Sequence, residues 1–223
     1  MDLSLERVPE DRAEAVLEQV LQFRQSYDCY EKPDDVNALM GLFPSVHIRS
    51  GYQLDYDWVY HGDVIKRLRP YARPLDGQSP LLAEPISPEG EERSDQAVET
   101  LYQYLHYDPT PEGLFEYAFF VQELWATRAS WHDAEWLATA PIFTRTRFEQ
   151  TLQTAQKVVD LQEPESFAAE AVCDETGGRV RFLVHTPMGW DRIYWLEIDV
   201  EADGRPDVRA GDIVADFGQG ETF

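Results

Sequence analysis

The sequence predicts a mixed α+β fold, in which a helical N-terminal and central region packs with a C-terminal antiparallel β-meander. Three observations support this prediction. Before Pro164 many apolar residues recur at three- and four-residue steps, which is typical of helices with one buried face. After Pro164, short strand-like runs alternate with turn residues. Helices grouped ahead of strands favour segregated α and β layers over a parallel α/β sheet.

The first helix is predicted to begin near Pro9, since proline suits the first helical turn. Glu10 and Asp11 would then lie at the positive end of the helix dipole. Pro33 ends this helix, and a short second helix is predicted over about 34–42. The buried stripe of the first helix comprises Ala13, Val16, Val20, Phe23, Tyr27 and Tyr30.

From Tyr52 the apolar period changes to two, which predicts a half-buried strand. Residues 61–63 would form a tight turn, and 64–71 a returning strand, so the sequence indicates an additional N-terminal β-hairpin. A helix over 63–69 is an alternative for the second half.

The polar residues of this hairpin suggest an alternative metal site. Asp55 and Asp57 would point the same way from the strand, with His61 and Asp63 following at the turn. These residue types suit a divalent cation. However, aspartates that alternate with aromatics also form the ordinary solvent face of an antiparallel strand. We therefore expect no metal ion at this hairpin, and a site formed by Asp55, Asp57, His61 and Asp63 is the alternative.

Residues 74–93 contain four prolines, two glycines and several glutamates, which predicts an exposed loop. The loop could separate two domains. We instead predict one domain over residues 1–223, because the residues before the loop are too few for a secure core of their own.

Three further helices are predicted in the central region. The third begins at Ser94 and stops at Asp108-Pro109, and the long fourth begins at Thr110-Pro111. The fifth is predicted to begin at Thr146, with Glu149 completing a capping box. Its apolar stripe is formed by Phe148, Leu152, Ala155 and Val159.

The C-terminal region has four predicted strands separated by turns that contain glycine or proline, which favours a meander. The last residues, 218–223, are predicted to form a flexible tail. The strands are predicted over 167–173, 180–185, 193–200 and 213–217.

The charge limits the classes of partner. There are 42 acidic residues against 19 Lys and Arg, so the formal net charge is −23. The field of such a surface repels nucleic-acid phosphates and anionic lipid headgroups, so we expect neither nucleic-acid nor membrane binding. Solubility explains the charge most simply. The leading functional hypothesis is a non-catalytic binding protein for a basic protein partner, and a homodimer with an aromatic interface is a further hypothesis.

Motifs give no assigned chemistry. Cys29 and Cys173 lack metal-ligand spacing, and two reduced thiols are a simpler interpretation than the one disulfide they could form. Together with the missing signal peptide, reduced thiols predict a cytoplasmic protein. The sequence contains no phosphate-binding glycine loop, no zinc-protease motif and no nucleophile elbow. We therefore expect no cofactor.

One polar cluster gives the alternative function. The apolar face of the fourth helix, if the helix continued, would lead into Arg128, Trp131, His132 and Glu135, and His106 could join them. Buried ions of this kind need partners. Either the helix breaks near residue 130, or the residues form a structural network, or they line a pocket of an enzyme or small-molecule-binding protein.

Overall fold

The computed structural model describes most of the chain. The described residues are 4–25, 36–61, 64–76, 101–126, 139–155, 157–174, 176–187 and 190–219. Within them, four α-helices and a large curled antiparallel sheet form a mixed α+β fold, as the sequence predicts. No helix in these ranges has the length and apolarity that crossing a bilayer requires.

The elements alternate along the chain more than expected. The helices are α1 (Glu10–Gln25), α2 (Val36–Met40), α3 (Pro111–Ala126) and α4 (Arg145–Thr154). The first strands are β1 (Glu6–Arg7), β2 (Val46–Ile48), β3 (Tyr52–His61), β4 (Val64–Pro74), β5 (Leu105–Tyr107) and β6 (Ala140–Ile142). The last are β7 (Asp160–Leu161), β8 (Glu170–Asp174), β9 (Gly177–Thr186), β10 (Trp190–Val200) and β11 (Pro206–Gln219).

The large sheet contains the predicted meander. Among the described residues it has seven strands, in the order β1-β8-β9-β10-β11-β7, and β6 extends it by pairing with β9. All its pairings are antiparallel. Two smaller sheets pair β2 with β5 and β3 with β4, so the N-terminal hairpin is confirmed. The helix considered as an alternative over 63–69 is wrong.

Helix α3 occupies the centre of the main core. Every residue from Gly113 to Leu124 is buried except Gln122. Its aromatic side chains form a continuous cluster with strand and loop residues: Phe115 contacts Phe143 and Phe182 at ring-centroid distances of 5.4 and 6.1 Å. The sequence predicted one buried face on this helix. That prediction was incomplete, because sheet residues cover one side and α2 with the small sheets covers the other.

Two glutamates are buried with this helix and take their partners from α1. Glu116 is 0% exposed, and its carboxylate accepts hydrogen bonds from Arg12 Nε at 2.9 Å and from the Ser45 backbone N–H at 2.8 Å. Glu123 is 2% exposed and accepts from Arg24 Nε at 3.0 Å. An unpaired carboxylate at such a depth costs several kcal/mol, so these pairs fix α1 alongside α3.

A second core lies on the opposite face of the sheet under α4. Phe148 of α4 packs with Leu183 of β9 and Ile193 of β10 in this cluster. The molecule is therefore layered, with α1 and α3 on one face of the sheet and α4 on the other. Helix α4 begins two residues earlier than predicted, because Thr144, rather than Thr146, caps it by accepting a hydrogen bond from the Arg147 N–H.

Several boundaries differ from the sequence prediction for physical reasons. Leu105 lies in β5 rather than in a third helix, because residues 105–107 pair with β2. The helical description of the N-terminal and central region is therefore not confirmed. Pro74 ends β4, so the start predicted for the loop is wrong, and residues 77–93 of the loop lie outside the described residues. Gly218 and Gln219 belong to β11 rather than to a tail.

The buried pairs give a stability prediction. Replacing Arg24 by Ala would leave Glu123 buried without its guanidinium and should lower the free energy of unfolding by about 3–5 kcal/mol. Arg179, which is exposed on the sheet and paired with Asp199, is the matched control, and its replacement by Ala should cost about 1 kcal/mol or less. Urea denaturation followed by circular dichroism measures both. Equal losses in the two variants would contradict a structural role for the buried pair.

Candidate functional site

Only one residue of the predicted polar cluster is described. His106 lies on β5 with its side chain exposed. Residues 127–138, which include Arg128, Trp131, His132 and Glu135, lie outside the described residues. The structure therefore does not place these residues relative to His106, and the function based on them stays a prediction.

The alternative metal site is partly described. The Asp55 carboxylate accepts a hydrogen bond from Arg73 Nε across the β3–β4 hairpin at 2.7 Å. The side chains of Asp57 and His61, and the whole of Asp63, lie outside the description. Among the described residues, no group of three or more His, Cys, Asp or Glu side chains is arranged to hold a metal ion.

His106 lines a surface hollow of about 280 Å³, which we call the His106 groove. It lies where the strand β5 meets two turns of the large sheet, the β8–β9 turn and the β10–β11 turn. Its polar lining comprises Tyr102, Gln103, His106, Asp174, Glu201 and Asp203.

Strand β5 holds one wall of the groove. His106 lies opposite His47 of β2 in the antiparallel register, and Tyr107 follows it into the interior. The ring of Tyr107 stacks against that of Tyr117 on α3, with centroids 5.0 Å apart. His106 is therefore exposed on an anchored strand, because the alternation of side chains turns its neighbour Tyr107 inward.

The β10–β11 turn forms the opposite wall and is tied to α3. The hydroxyl of Tyr117 donates a hydrogen bond to the Gly204 carbonyl at 2.7 Å. Gly204 has a φ of +85°, and a Cβ there would lie 2.8 Å from the Tyr117 hydroxyl oxygen. Only glycine suits both constraints, and the turn consequently presents Glu201 and Asp203 at the groove.

The β8–β9 turn contributes Asp174. This carboxylate accepts hydrogen bonds from the Thr176 hydroxyl at 2.6 Å and from the Thr176 backbone N–H at 2.7 Å. Both bonds favour the ionised form and lower the pKa of Asp174. Asp174 also lines a second hollow of about 520 Å³ beside Arg179 and Asp199, so the two hollows meet at this residue.

The negative charge of nearby carboxylates contributes to raised pKa values of two neighbouring groups. Burial raises the pKa of the Cys173 thiol, and the carboxylates of Glu6, Asp174 and Glu112 raise it further. Burial likewise raises the pKa of Tyr107, with smaller contributions from Cys173 and Asp174. Nearby carboxylates thus add to the effect of burial at both groups, and Asp174 acts on each of them.

The exposed face of the sheet nearby has a different charge arrangement. Glu170, Arg181, Glu197 and Arg209 lie opposite one another across four successive strands, so the charges alternate in one row. Arg181 Nε donates to Glu170 at 2.7 Å, and Arg209 Nε donates to Glu197 at 2.9 Å. Arg179 donates to Asp199 at 2.6 Å. Every arginine in this group thus has a carboxylate.

The groove carboxylates have little compensation of this kind. Among the described residues, these carboxylates (Asp174, Glu201 and Asp203) make one ion pair. It joins Asp203 to Arg205 at 3.5 Å, and both side chains are about half exposed. The groove therefore offers acceptors for a cation or for hydrogen-bond donors, with an imidazole at its edge.

Sequence reasoning found His106 but missed the three carboxylates. A signal was available, because alternate turns of an antiparallel meander lie at the same end of the sheet. The first and third turns of the predicted meander carry Asp174 and the pair Glu201 and Asp203. The contribution of β5 could not be foreseen, because this segment was predicted as helix.

The thiol provides a test of the local field. Replacing Asp174 by Asn should lower the pKa of Cys173 and speed its alkylation near neutral pH, because one raising charge is removed. Reaction with iodoacetamide across a pH series, followed by mass spectrometry of the Cys173 peptide, measures this. Asp160→Asn on β7, which pairs with the distant end of β11, is the control and should leave the rate unchanged. An unchanged or higher thiol pKa in Asp174→Asn would contradict the assigned field.

The chain was compared with protein-family models, with curated proteins and with solved structures, and none of the three comparisons finds a match.

Proposed function

We propose that this protein is a non-catalytic binding protein whose acidic surface engages a basic protein partner, with the His106 groove as the contact for a cationic side chain. The formal charge of −23 supplies long-range attraction for such a partner. Complementary charge of this kind mainly increases association rate and selectivity.

The observation that carries the proposal is the uneven compensation of carboxylates. Arginines match the acidic residues on the exposed sheet face, whereas Asp174, Glu201 and Asp203 converge on one groove with Arg205 as their one described ion-pair partner. Because like charges held close together repel, positive charge from outside would stabilise the groove. A lysine or arginine side chain has both this charge and the donors that carboxylates accept.

The size of the groove accommodates a single cationic side chain. Pockets for drug-sized ligands enclose roughly 300–1,000 Å³. The groove encloses about 280 Å³ and is open to solvent. A single extended guanidinium or ammonium side chain fits such a volume, while the rest of the partner would lie on the surrounding acidic surface.

The cytoplasm is the compartment that fits this proposal. Cys173 is a free thiol and is partly buried. Free thiols persist in reducing compartments. The proposal includes no nucleic-acid or membrane partner, since both carry the same sign of charge as this protein.

Binding of a synthetic arginine-rich peptide tests the proposal directly. The wild-type protein should bind the peptide, and its affinity should fall as salt rises from about 0.05 to 0.5 M, because screening shortens the Debye length. A glutamate-rich peptide of the same length should not bind. Fluorescence anisotropy measures both. An affinity that is indifferent to salt would contradict an electrostatic interaction.

Matched charge variants separate the groove from the net charge. In the groove variant, Asp174→Asn, Glu201→Gln and Asp203→Asn are combined. In the control, Glu18→Gln, Asp76→Asn and Glu165→Gln remove three exposed carboxylates outside the groove. Both variants are three units less negative than the −23 of the wild type.

The groove variant should raise the Kd of the arginine-rich peptide roughly three- to a hundredfold, which corresponds to three ion pairs of about 0.2–1 kcal/mol each. The control should change it by about twofold or less, through the long-range field alone. Equal effects would show that the peptide responds to the overall charge and would refute the groove as the contact.

A further inference from the structure

One edge of the large sheet is left open along most of its last strand. Strand β11 pairs with β10 over its length, whereas on its other side β7 and its flanking residues contact only Val214 to Asp216. Within the described part of the chain, no strand covers this outer edge between Pro206 and Ile213. Backbone donors and acceptors along such an edge can pair with another strand.

Exposed aliphatic side chains cluster at this edge. The structure describes seven large hydrophobic residues as exposed, and five of them lie on β11 or on the segment that carries β7: Val158, Val159, Leu161, Val208 and Ile213. Single exposed apolar residues are ordinary, but several along one open edge indicate an interaction surface.

The two β11 members of this group share a face of the sheet. Val208 lies opposite Ile198, and Ile213 lies opposite Tyr194. Both of these β10 residues pack on the main core. A strand added at the edge would therefore meet the side chains of Val208 and Ile213 on the same side.

The sequence of this stretch is complementary to itself. Ala210 pairs with Leu196 and Ile213 with Tyr194, so Gly211 and Asp212 together lie opposite Trp195 and form a bulge that counts as one position along the strand. If two copies of Val208-Arg209-Ala210-Gly211-Asp212-Ile213 lie antiparallel about an axis through Ala210, Val208 faces Ile213 of the second copy. In the same register Arg209 faces the bulge that carries Asp212 of the second copy. Ala210, a small residue, faces Ala210 of the second copy at the axis. Apolar and charged residues are thus matched at once, and by symmetry each match occurs twice.

Other registers lose this match. An axis through Arg209 would place two guanidinium groups opposite each other, and an axis through Asp212 would do the same with two carboxylates. Directly opposed like charges destabilise a strand pair. The charges therefore select the register in which the aliphatic side chains also meet.

From these observations we infer that two copies of this chain associate through antiparallel pairing of their β11 strands, with the two-fold axis through Ala210. This interface goes beyond the proposed binding of a basic partner and does not depend on it. It also differs from the aromatic dimer interface that the sequence suggested, because its central contacts are aliphatic and backbone groups.

The interface is short, and the association is accordingly weak. Pairing is limited to a few residues on each strand. Pro206 lies at one end of the open edge, and at the other β11 has an irregular register opposite Tyr194 and Leu196 of β10. Stable interfaces bury about 800 Å² on each partner, which a short edge with flanking side chains barely reaches. Each copy also carries a charge of −23, so mutual repulsion opposes association at low salt.

Sedimentation velocity over a range of protein concentrations tests this inference. The wild type should form a reversible dimer whose Kd decreases as salt rises, because salt screens the repulsion between the two copies. This salt dependence is opposite to that of the basic peptide, so failure of one proposal is distinguishable from failure of the other. A strict monomer at all concentrations and salts would overturn the inference.

A pair of charge-introducing variants locates the interface. Ile213→Lys should raise the dimer Kd by at least about tenfold, since it places a charge at an apolar contact on both copies. Leu75→Lys is the matched control, because Leu75 is 60% exposed and lies away from β11, directly after β4. It should leave the dimer Kd within about twofold of the wild type. A dimer that responds equally to both variants would refute the β11 interface.

Disulfide cross-linking tests the register. Cross-strand neighbours have Cβ atoms about 4.5–5.5 Å apart, close to the span of a disulfide. When Val208→Cys and Ile213→Cys proteins are mixed and oxidised, a disulfide linking positions 208 and 213 of different copies should form. Either variant alone would hold its introduced thiols roughly 13 Å apart and should not link through them.

Cys29 and Cys173 are present in all these proteins, so the unsubstituted chain is the control for links through them. Mass spectrometry of the cross-linked peptides identifies which positions are joined. Efficient linking of position 208 to position 208, or of 213 to 213, would overturn the proposed axis.

Discussion

The two buried pairs between α1 and α3 determine much of the architecture. Helix α3 is covered on nearly all sides, so two of its three glutamates, Glu116 and Glu123, have almost no access to water. Arg12 and Arg24 lie on one helix and reach Glu116 and Glu123 on another. Two pairs at separate points along the helices define both the distance and the direction of α1. The loop at Ser45 joins the same network, because its backbone N–H donates to Glu116.

The parts of the fold that follow from local pattern could be predicted. The last four strands follow from alternating residues and turns, although β11 begins at Pro206 rather than at the predicted residue 213. Helix α1 follows from its stripe and its first-turn proline. The burial of α3 could not be inferred from one face, because its wheel also carries Glu116 and Glu123, which suggest solvent. Their burial depends on arginines roughly a hundred residues earlier in the chain. No local pattern contains that information.

Short elements escaped prediction for a related reason. Strand β5 has three residues, which is too few for an alternating pattern, and it exists because β2 pairs with it. The same segment continues the apolar spacing of a helix, and tertiary pairing overrides that tendency. This error affected the prediction of the candidate site most. His106 was identified as polar and available, but its neighbours in space depended on β5 being a strand.

The surfaces of this protein differ in whether their charged side chains and backbone groups already have partners among the described residues. The row from Glu170 to Arg209 is neutral in itself and needs no external group. The His106 groove has an excess of carboxylates. The edge of β11 between Pro206 and Ile213 carries Asp207, Arg209 and Asp212, and no strand pairs with it in the described part of the chain. The groove and the edge therefore differ in chemistry, and so do the partners proposed for them.

These two surfaces are joined through the β10–β11 turn. Glu201 and Asp203 stand in this turn, and β11 begins at Pro206 directly after it. A cation bound at the groove would reduce the negative charge close to the start of the open edge, and repulsion between two copies would decrease. By thermodynamic linkage, pairing of the edges would then favour cation binding by the same factor. In a chain of charge −23, a basic partner would therefore promote self-association without contacting the edge. The strength of this coupling follows from the distance between the turn and the partner copy compared with the Debye length.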